Sequence, residues 1–401
     1  MKSIFNSASL IRLPGALCLL VALIVHGQQP SAQTSRRQVA LTFEGEGKTE
    51  DAVAAWSAIA AGDPKNAEAY AHLGLLAARQ EHYKEAVANY NKALSINPQF
   101  PNLRVNLGLS YFKAGELKET IQTYQPLLKE MTASPSQRLR IVTLIGLAHY
   151  GLGNYADAIP YLKEAVADDS GNLQFRLMLA HSCLWSKQYQ CVLDEYREIV
   201  TINPNAAEAH MLAGEAYDEL KDDSDSLAQF QAAVKADPST PNAHFGYGYL
   251  LWRLMRFDEA ETEFRAELAN NPEHALALAY LGDVEVHLQR NELAAPFLEH
   301  SIKLDPTFAL AHLDLGIIDA SRDLKADALR EFQLAAKLNP SDENTHWQLG
   351  RLYQSMGRKE EAKAEIEKTR NLQKVRDEPL VEKLNRGASR PADPLSISSD
   401  K

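Results

Sequence analysis

Four histidines, His210, His244, His312 and His346, recur in a single column of the sequence. Imidazole is the commonest metal ligand, so such a column invites a row of metal sites. Distance is the difficulty. Histidines on neighbouring helices stand about 8–10 Å apart, whereas the ligands of one zinc must each lie about 2 Å from it. Bulky packing between helices is the role this spacing predicts, and no metal is expected. Gly45-Glu-Gly-Lys-Thr49 offers a second chemistry, the cradling of phosphate. The full loop needs a glycine five places before its Gly-Lys pair, and Thr42 stands there with no strand before it. A hairpin turn explains these residues more simply. Asp222-Asp-Ser-Asp225 has the acids for paired catalysis or calcium, but solvated loop charge accounts for it better. His-Glu-x-x-His, nucleophile-elbow and dinucleotide-glycine patterns do not occur. These residues point away from an enzyme and imply no cofactor.

The elements that carry them follow from a repeat. The chain has 401 residues, of which 45% are apolar and 24% charged, enough for a packed core. One glycine recurs at Gly74, Gly108, Gly146, Gly214, Gly248, Gly282, Gly316 and Gly350, mostly at steps of 34, with Ala180 in the one skipped place. Sixteen residues after each place comes a large apolar side chain, as in Trp56, Tyr90, Tyr124, Phe230, Phe264 and Phe332. Proline closes seven units, from Pro64 to Pro340. Apolar residues at i, i+3, i+4 and i+7 in both halves of a unit make two amphipathic helices. Small residues sit where those helices approach most closely, and the large residue is expected to plug the groove towards the next unit. Proline then stops the second helix. The predicted fold is all-α: stacked antiparallel helix pairs.

Ten units fill residues 33–66, 67–100, 101–138, 139–172, 173–206, 207–240, 241–274, 275–308, 309–342 and 343–376. A four-residue insertion near Met131–Gln137 is expected to prolong the third unit's second helix or to loop. Pro160 and Pro296 occupy the same place inside a second helix, where a kink is expected. Cys183 and Cys191 flank the turn of the fifth hairpin. Antiparallel helices can bring their Cα atoms within about 4.4–6.8 Å, so a disulfide and two unpaired thiols both remain open.

The pattern resembles the tetratricopeptide repeat family, as in AEAYAHLGLLAARQEHYKEAVANYNKALSINPQF, Ala67–Phe100. The resemblance implies a right-handed superhelical solenoid whose first helices line a concave groove. It also implies a partner that is another protein or a peptide segment. Carried onto this chain, the groove-lining places fall on Leu109, Phe112, Tyr150, Met211, Phe245, Tyr249, Trp252, Leu313, Ile317 and Trp347. Leu75, Leu147, His181 and Leu184 fall on the same places, and Glu215, Asp218 and Glu219 lie beside them. An apolar stripe of this extent marks a partner surface, unless the superhelix or self-association buries it. Two recognition devices of the family are missing: the Lys and Asn clamp for a terminal carboxylate, and the asparagine ladder, of which only Asn106 is present. A binding scaffold is the expected function. Alternatives are a structural adaptor in cell-envelope or secretion machinery and the substrate arm of a glycosyltransferase. The formal charge of −11 disfavours nucleic acid.

Residues 1–32 carry Lys2 and Arg12, no acid, and an apolar run from Ala16 to Val25. This order predicts a secretory signal peptide, cleaved after Gly27 or Ala32, and hence a periplasmic or secreted protein. The run is short of the roughly 18 residues that cross a bilayer, so an uncleaved anchor is the alternative and no span is expected after processing. Residues 377–401 hold three prolines and four serines and are expected to be a disordered tail.

Overall fold

The computed structural model describes residues 32–100, 102–130 and 135–377, and their regular structure is twenty α-helices with no strand among them. The expected leader, apart from Ala32, and the expected tail, apart from Asp377, lie outside the described residues. The chain divides into two compact units, 1–119 and 120–401. The first holds α1 (Ala32–Gly45), α2 (Thr49–Gly62), α3 (Ala67–Arg79), α4 (Tyr83–Ile96) and α5 (Leu103–Lys113), and the boundary falls inside α6 (Leu117–Glu130). The second continues with α7 (Pro135–Gly151), α8 (Tyr155–Asp168), α9 (Leu173–Trp185), α10 (Tyr189–Ile202), α11 (Ala207–Glu219), α12 (Asp223–Ala236) and α13 (Ala243–Arg253). It ends with α14 (Phe257–Asn270), α15 (Ala275–His287), α16 (Asn291–Leu304), α17 (Ala309–Ser321), α18 (Lys325–Leu338), α19 (Glu343–Ser355) and α20 (Lys359–Asp377).

Local rules start and stop these helices. Asn66 and Asn172 accept from the backbone N–H groups of Ala69 and Phe175, and Asp342 does the same for Thr345. Each side chain satisfies one of the N–H groups that a helix start leaves unpaired. At the turn inside every pair one residue is left-handed. Gly47, Gly115, Gly153 and Gly357 take that conformation without a Cβ, but Glu81, Lys187, Lys221, Met255, Gln289 and Asp323 take it at φ of 57° to 63°. Gly45–Thr49, the faint phosphate motif, is such a turn.

The repeated glycine is a close approach. A Cβ on Gly316 would stand 2.5 Å from Phe332 Cδ1, and one on Gly282 2.5 Å from Leu298 Cδ2. The large apolar residue thus packs over the glycine of its own pair, rather than only towards the next pair as its spacing suggested. Phe230 does both, standing between Gly214 and Gly246. In the first unit Trp56 and Tyr90 are the largest fully buried side chains, and Trp56 stacks on His72 with ring centroids 4.2 Å apart.

In the second unit each second helix packs on the next first helix, from α8 on α9 to α18 on α19. First helices also touch one another, α9 with α11, α11 with α13, α13 with α15 and α15 with α17. Second helices make no comparable contacts among the described residues, so this unit curves with its first helices on the inside. Of the insertion near Met131–Gln137, residues 131–134 lie outside the described residues. Among the described residues α6 reaches Glu130, and α7 runs from Pro135 to Gly151, a first helix of 17 residues. Pro160 and Pro296 lie within α8 and α16, each one helix of 14 residues, and α6 contains Pro126.

Candidate partner-binding groove

The concave side of the second unit holds a cavity of about 390 Å³ across α9, α11 and α13. Met211, Phe245 and Tyr249, all expected here, line it together with Glu215, Asp218 and Glu219. Leu184, on a groove place of α9, lines it too, and Trp185, Lys187, Tyr189, Phe230, Asn242, Gly246 and Leu250 complete the lining without having been marked by the groove places. A second hollow of about 760 Å³ shares Met211, Glu215 and Asn242 with the first and adds His181, Glu208 and Asp237. The two hollows adjoin at Met211, Glu215 and Asn242, and together they are called the channel below.

Each wall is held from behind. Cys183 and Cys191 are disulfide-bonded with Cα atoms 5.9 Å apart, which ties the end of α9 to the start of α10 and fixes the turn bearing Trp185 and Lys187. The Trp185 indole N–H donates to His181 Nε2 at 3.2 Å, and His181 Nδ1 faces the Tyr150 hydroxyl at 3.4 Å. Burial lowers the His181 pKa and so favours the neutral ring that can accept from the indole. On the opposite wall α13 starts late, after Pro241. Its first N–H groups, those of Asn242 and Phe245, donate to the buried Glu267 carboxylate at 3.3 and 3.2 Å. An acid at a helix N-terminus also meets the favourable end of the helix dipole. Phe245 then stacks on His274 at 4.8 Å and on Tyr249 at 6.3 Å.

The acids between the walls differ. Asp218 is paired with Arg253 at 2.5 Å, and Glu219 accepts from the Tyr189 hydroxyl at 3.2 Å. Glu215 has no hydrogen bond or ion pair among the described residues. Its side chain is open to the channel, yet the surrounding protein displaces enough water to raise its pKa, with Asp218 adding repulsion. Accessibility to solvent and crowding by protein coexist here because the surface is concave.

Other expected groove residues are placed elsewhere. Trp252, the third member of the Phe245 stripe, turns its indole N–H to the Asp283 carboxylate on α15 and sets its ring edge-on to Tyr280 at 4.9 Å. It is an inter-repeat packing residue, not a free anchor. Leu313 is 4% exposed, and Met211, although it lines both hollows, only 7%. Leu313 belongs to a core with Phe332 and Leu349, and Ile317 packs against the same core. The helix rotation that gives these places to the groove in one repeat gives them to the neighbouring first helix in another. Trp347 is 44% exposed at the C-terminal end, with the Arg351 guanidinium 4.6 Å from its ring centre. Leu109 and Phe112 are half-buried on α5 of the first unit. Tyr150 supports the channel through His181.

The histidine column is engaged pair by pair. His244 Nδ1 lies 2.6 Å from Glu263, His312 Nδ1 2.7 Å from Glu331, and His346 Nδ1 2.5 Å from Glu365, in each case a residue of its own second helix. His210 meets Gln229 at the same place, at 2.9 Å. The acid nineteen residues on is legible in the sequence once the 34-residue register is drawn.

Models of the repeat match much of the chain. One described as TPR repeat matches 78–115, and three described as tetratricopeptide repeat match 149–191, then 187–241, 224–266 and 248–307, and 344–368. Among curated proteins, the anaphase-promoting complex subunit 3 of Schizosaccharomyces pombe is 22% identical over 40% of this chain and 23% of its own length. The protein O-mannosyl-transferase TMTC1 of Mus musculus is 27% identical over 34% of this chain and 15% of its own length. The match thus spans under a quarter of either relative. Solved structures with similar folds include a tetratricopeptide repeat protein from Parabacteroides merdae, at 17% identity and TM-score 0.45 over 62% of this chain and 96% of that one. YrrB, described as a TPR protein with an unusual peptide-binding site, aligns at 21% identity and TM-score 0.37 over 48% of this chain and 97% of its own. The repeat models alone together match more than half of the sequence, and the chain belongs to the tetratricopeptide repeat family.

Proposed function

We propose that this protein is a non-enzymatic scaffold that binds another protein or a peptide segment in the concave channel of α9, α11 and α13. The observation that carries the reading is the channel itself. Aromatic side chains from α9 and α13, Trp185 on one wall and Phe245 and Tyr249 on the other, face one concavity across Met211 and Glu215 of α11, and they are braced by a disulfide, a buried carboxylate and a tryptophan–histidine hydrogen bond. Rigid aromatic anchors in a preformed pocket are the usual source of interface energy. We further propose that the chain is exported, to the periplasm or beyond. The leader-like residues 1–32 and the Cys183–Cys191 bridge, which an oxidising compartment maintains, support this. No described helix is long and apolar enough to cross a membrane.

A photo-crosslinking amino acid in place of Trp185 tests the binding site in cells. A discrete adduct is expected there, and none from the same group in place of Glu299, which is exposed on the second helix α16. Equal labelling from both positions would remove the groove from its central role. One observation favours the adaptor alternative: the hairpin turns expose Leu220, Leu254, Met255 and Leu324, at 50%, 39%, 76% and 46%. An adaptor would use this edge as a second contact surface, and crosslinks from Met255 would then capture a different protein.

A further inference from the structure

Glu215 stands where the two hollows of the channel meet, and it is the carboxylate there without a partner among the described residues. Its neighbours show what it lacks. Asp218 is neutralised by Arg253, while Glu219 accepts a hydrogen bond from the Tyr189 hydroxyl. The acids lining the two hollows, Glu208, Glu215, Asp218, Glu219 and Asp237, outnumber the one lysine, Lys187. Around Glu215 the walls are aromatic, with Phe245 and Tyr249 on one side and Trp185 on the other. A carboxylate in a partly desolvated concavity favours a cation that brings its own donors. Aromatic faces add attraction for an ammonium or guanidinium group. Apolar floor on both sides of the acid, at Met211 and Leu184 in one hollow and Leu173 and Leu177 in the other, suits apolar side chains flanking that cation.

We infer that the occupant of the channel is an extended segment of another protein that presents a lysine or arginine side chain to Glu215, with an apolar residue beside it. This rests on the peptide-binding reading above and narrows it to basic sequences. A lone small amine would fill one hollow but leave the second empty, whereas a backbone running through both reaches Met211, Glu215 and Asn242 in turn.

The test is selection from a displayed library of random octapeptides on the full, oxidised chain, followed by affinity measurements with the recovered peptides. Recovered sequences are expected to share a Lys or Arg next to an apolar residue. Glu215→Gln should weaken the synthetic winners about tenfold or more, the scale for losing one partner of a desolvated charge-assisted pair. Glu299→Gln, on the far side of the helix pairs, should leave their affinity unchanged. Winners without a basic residue, or basic winners indifferent to Glu215→Gln, overturn the inference while leaving peptide binding intact. If the library yields no enriched peptide at all, the peptide-binding function falls and this inference with it. Glu215→Gln removes an unpartnered acid, so loss of binding through unfolding is excluded by an unchanged or raised melting temperature.

Discussion

His312 and Glu331 are nineteen residues apart in sequence and 2.7 Å apart in space, and the other ring nitrogen of His312 lies 3.0 Å from the Pro306 carbonyl oxygen. One side chain thereby joins a first helix to its second helix and to the turn before it. His346 repeats the arrangement with Glu365 and Pro340, and Arg176 reaches Glu195 and the Ser170 carbonyl in the fifth pair. In the eighth pair the same two places hold Leu278 and Phe297. From the fourth pair to the tenth the two places change character together, polar with polar and apolar with apolar, whereas the first two pairs set Arg36 against Ala55 and Tyr70 against Asn89.

His312→Leu should therefore cost about 2 kcal/mol, because it takes the imidazole from the half-buried Glu331 and leaves that carboxylate only Arg330, at 3.4 Å. Adding Glu331→Phe, which copies the eighth pair, should recover most of that loss. Urea unfolding of the single and double variants measures both. A double variant no better than the single one would show that the two places are not coupled.

The left-handed turn residues are a second reservoir. A side chain in that conformation costs roughly 1–2 kcal/mol relative to its ordinary backbone. Met255→Gly and Lys221→Gly should each gain about 0.5–1 kcal/mol net of the extra freedom of the unfolded chain. Gly357→Ala should lose about 1 kcal/mol. Thermal melts of the three variants suffice, and an equal loss from all of them would refute the account.

Asp283 and Asp314 are buried side by side at 4% and 3% exposure on α15 and α17. Burial raises the pKa of Asp314 well above the ordinary range, with the charge of Asp283 and a hydrogen bond from the pair adding to it, and burial raises Asp283 as well. A carboxyl with a raised folded pKa holds a proton that the unfolded chain has released. Its contribution to stability is full below the unfolded value of about 4 and is lost as pH rises through the folded value. Stability should decline from mildly acid to neutral pH, and Asp314→Asn should flatten that slope and raise the melting temperature at pH 7. An unchanged slope in the variant would assign the pH dependence elsewhere.

The aromatic stripe separates into two roles. Trp252→Ala should destabilise by about 3 kcal/mol, since it opens a core-sized gap beside Tyr280 and strips Asp283 of its indole donor. Tyr249→Ala should cost less than half as much in unfolding experiments but should weaken partner capture. If Tyr249→Ala unfolds the second unit, the channel wall is core and the binding proposal loses its anchor.

Replacing Cys183 and Cys191 by Ala should cost about 2–3 kcal/mol on the chain-entropy estimate for so short a loop. Thiol titration of the native protein after unfolding should find neither cysteine free. The proposed export predicts an N-terminus between Gln28 and Gln33 by mass spectrometry, and an intact Met1 in the soluble protein would end that claim.

The helical class and the pairing of helices were legible in the sequence because a repeat writes each contact at a constant spacing. Gly316 and Phe332 are always sixteen apart, so their packing shows as two columns. The groove was legible only in part. Met211, Phe245 and Tyr249 reach the channel as their places imply, but Trp252 and Leu313 occupy equivalent places and are taken up by the next first helix or by the core. Which outcome a place receives depends on how far one helix pair is rotated against the next, a quantity set by the summed bulk of side chains across the interface. The late start of α13 after Pro241 and the bridge beneath Trp185 add further local shifts. Nor does spacing tell which acid is left unpaired. Asp218 and Glu215 lie three residues apart on one helix, and only the reach of Arg253 from the neighbouring pair neutralises the first and leaves the second facing the channel.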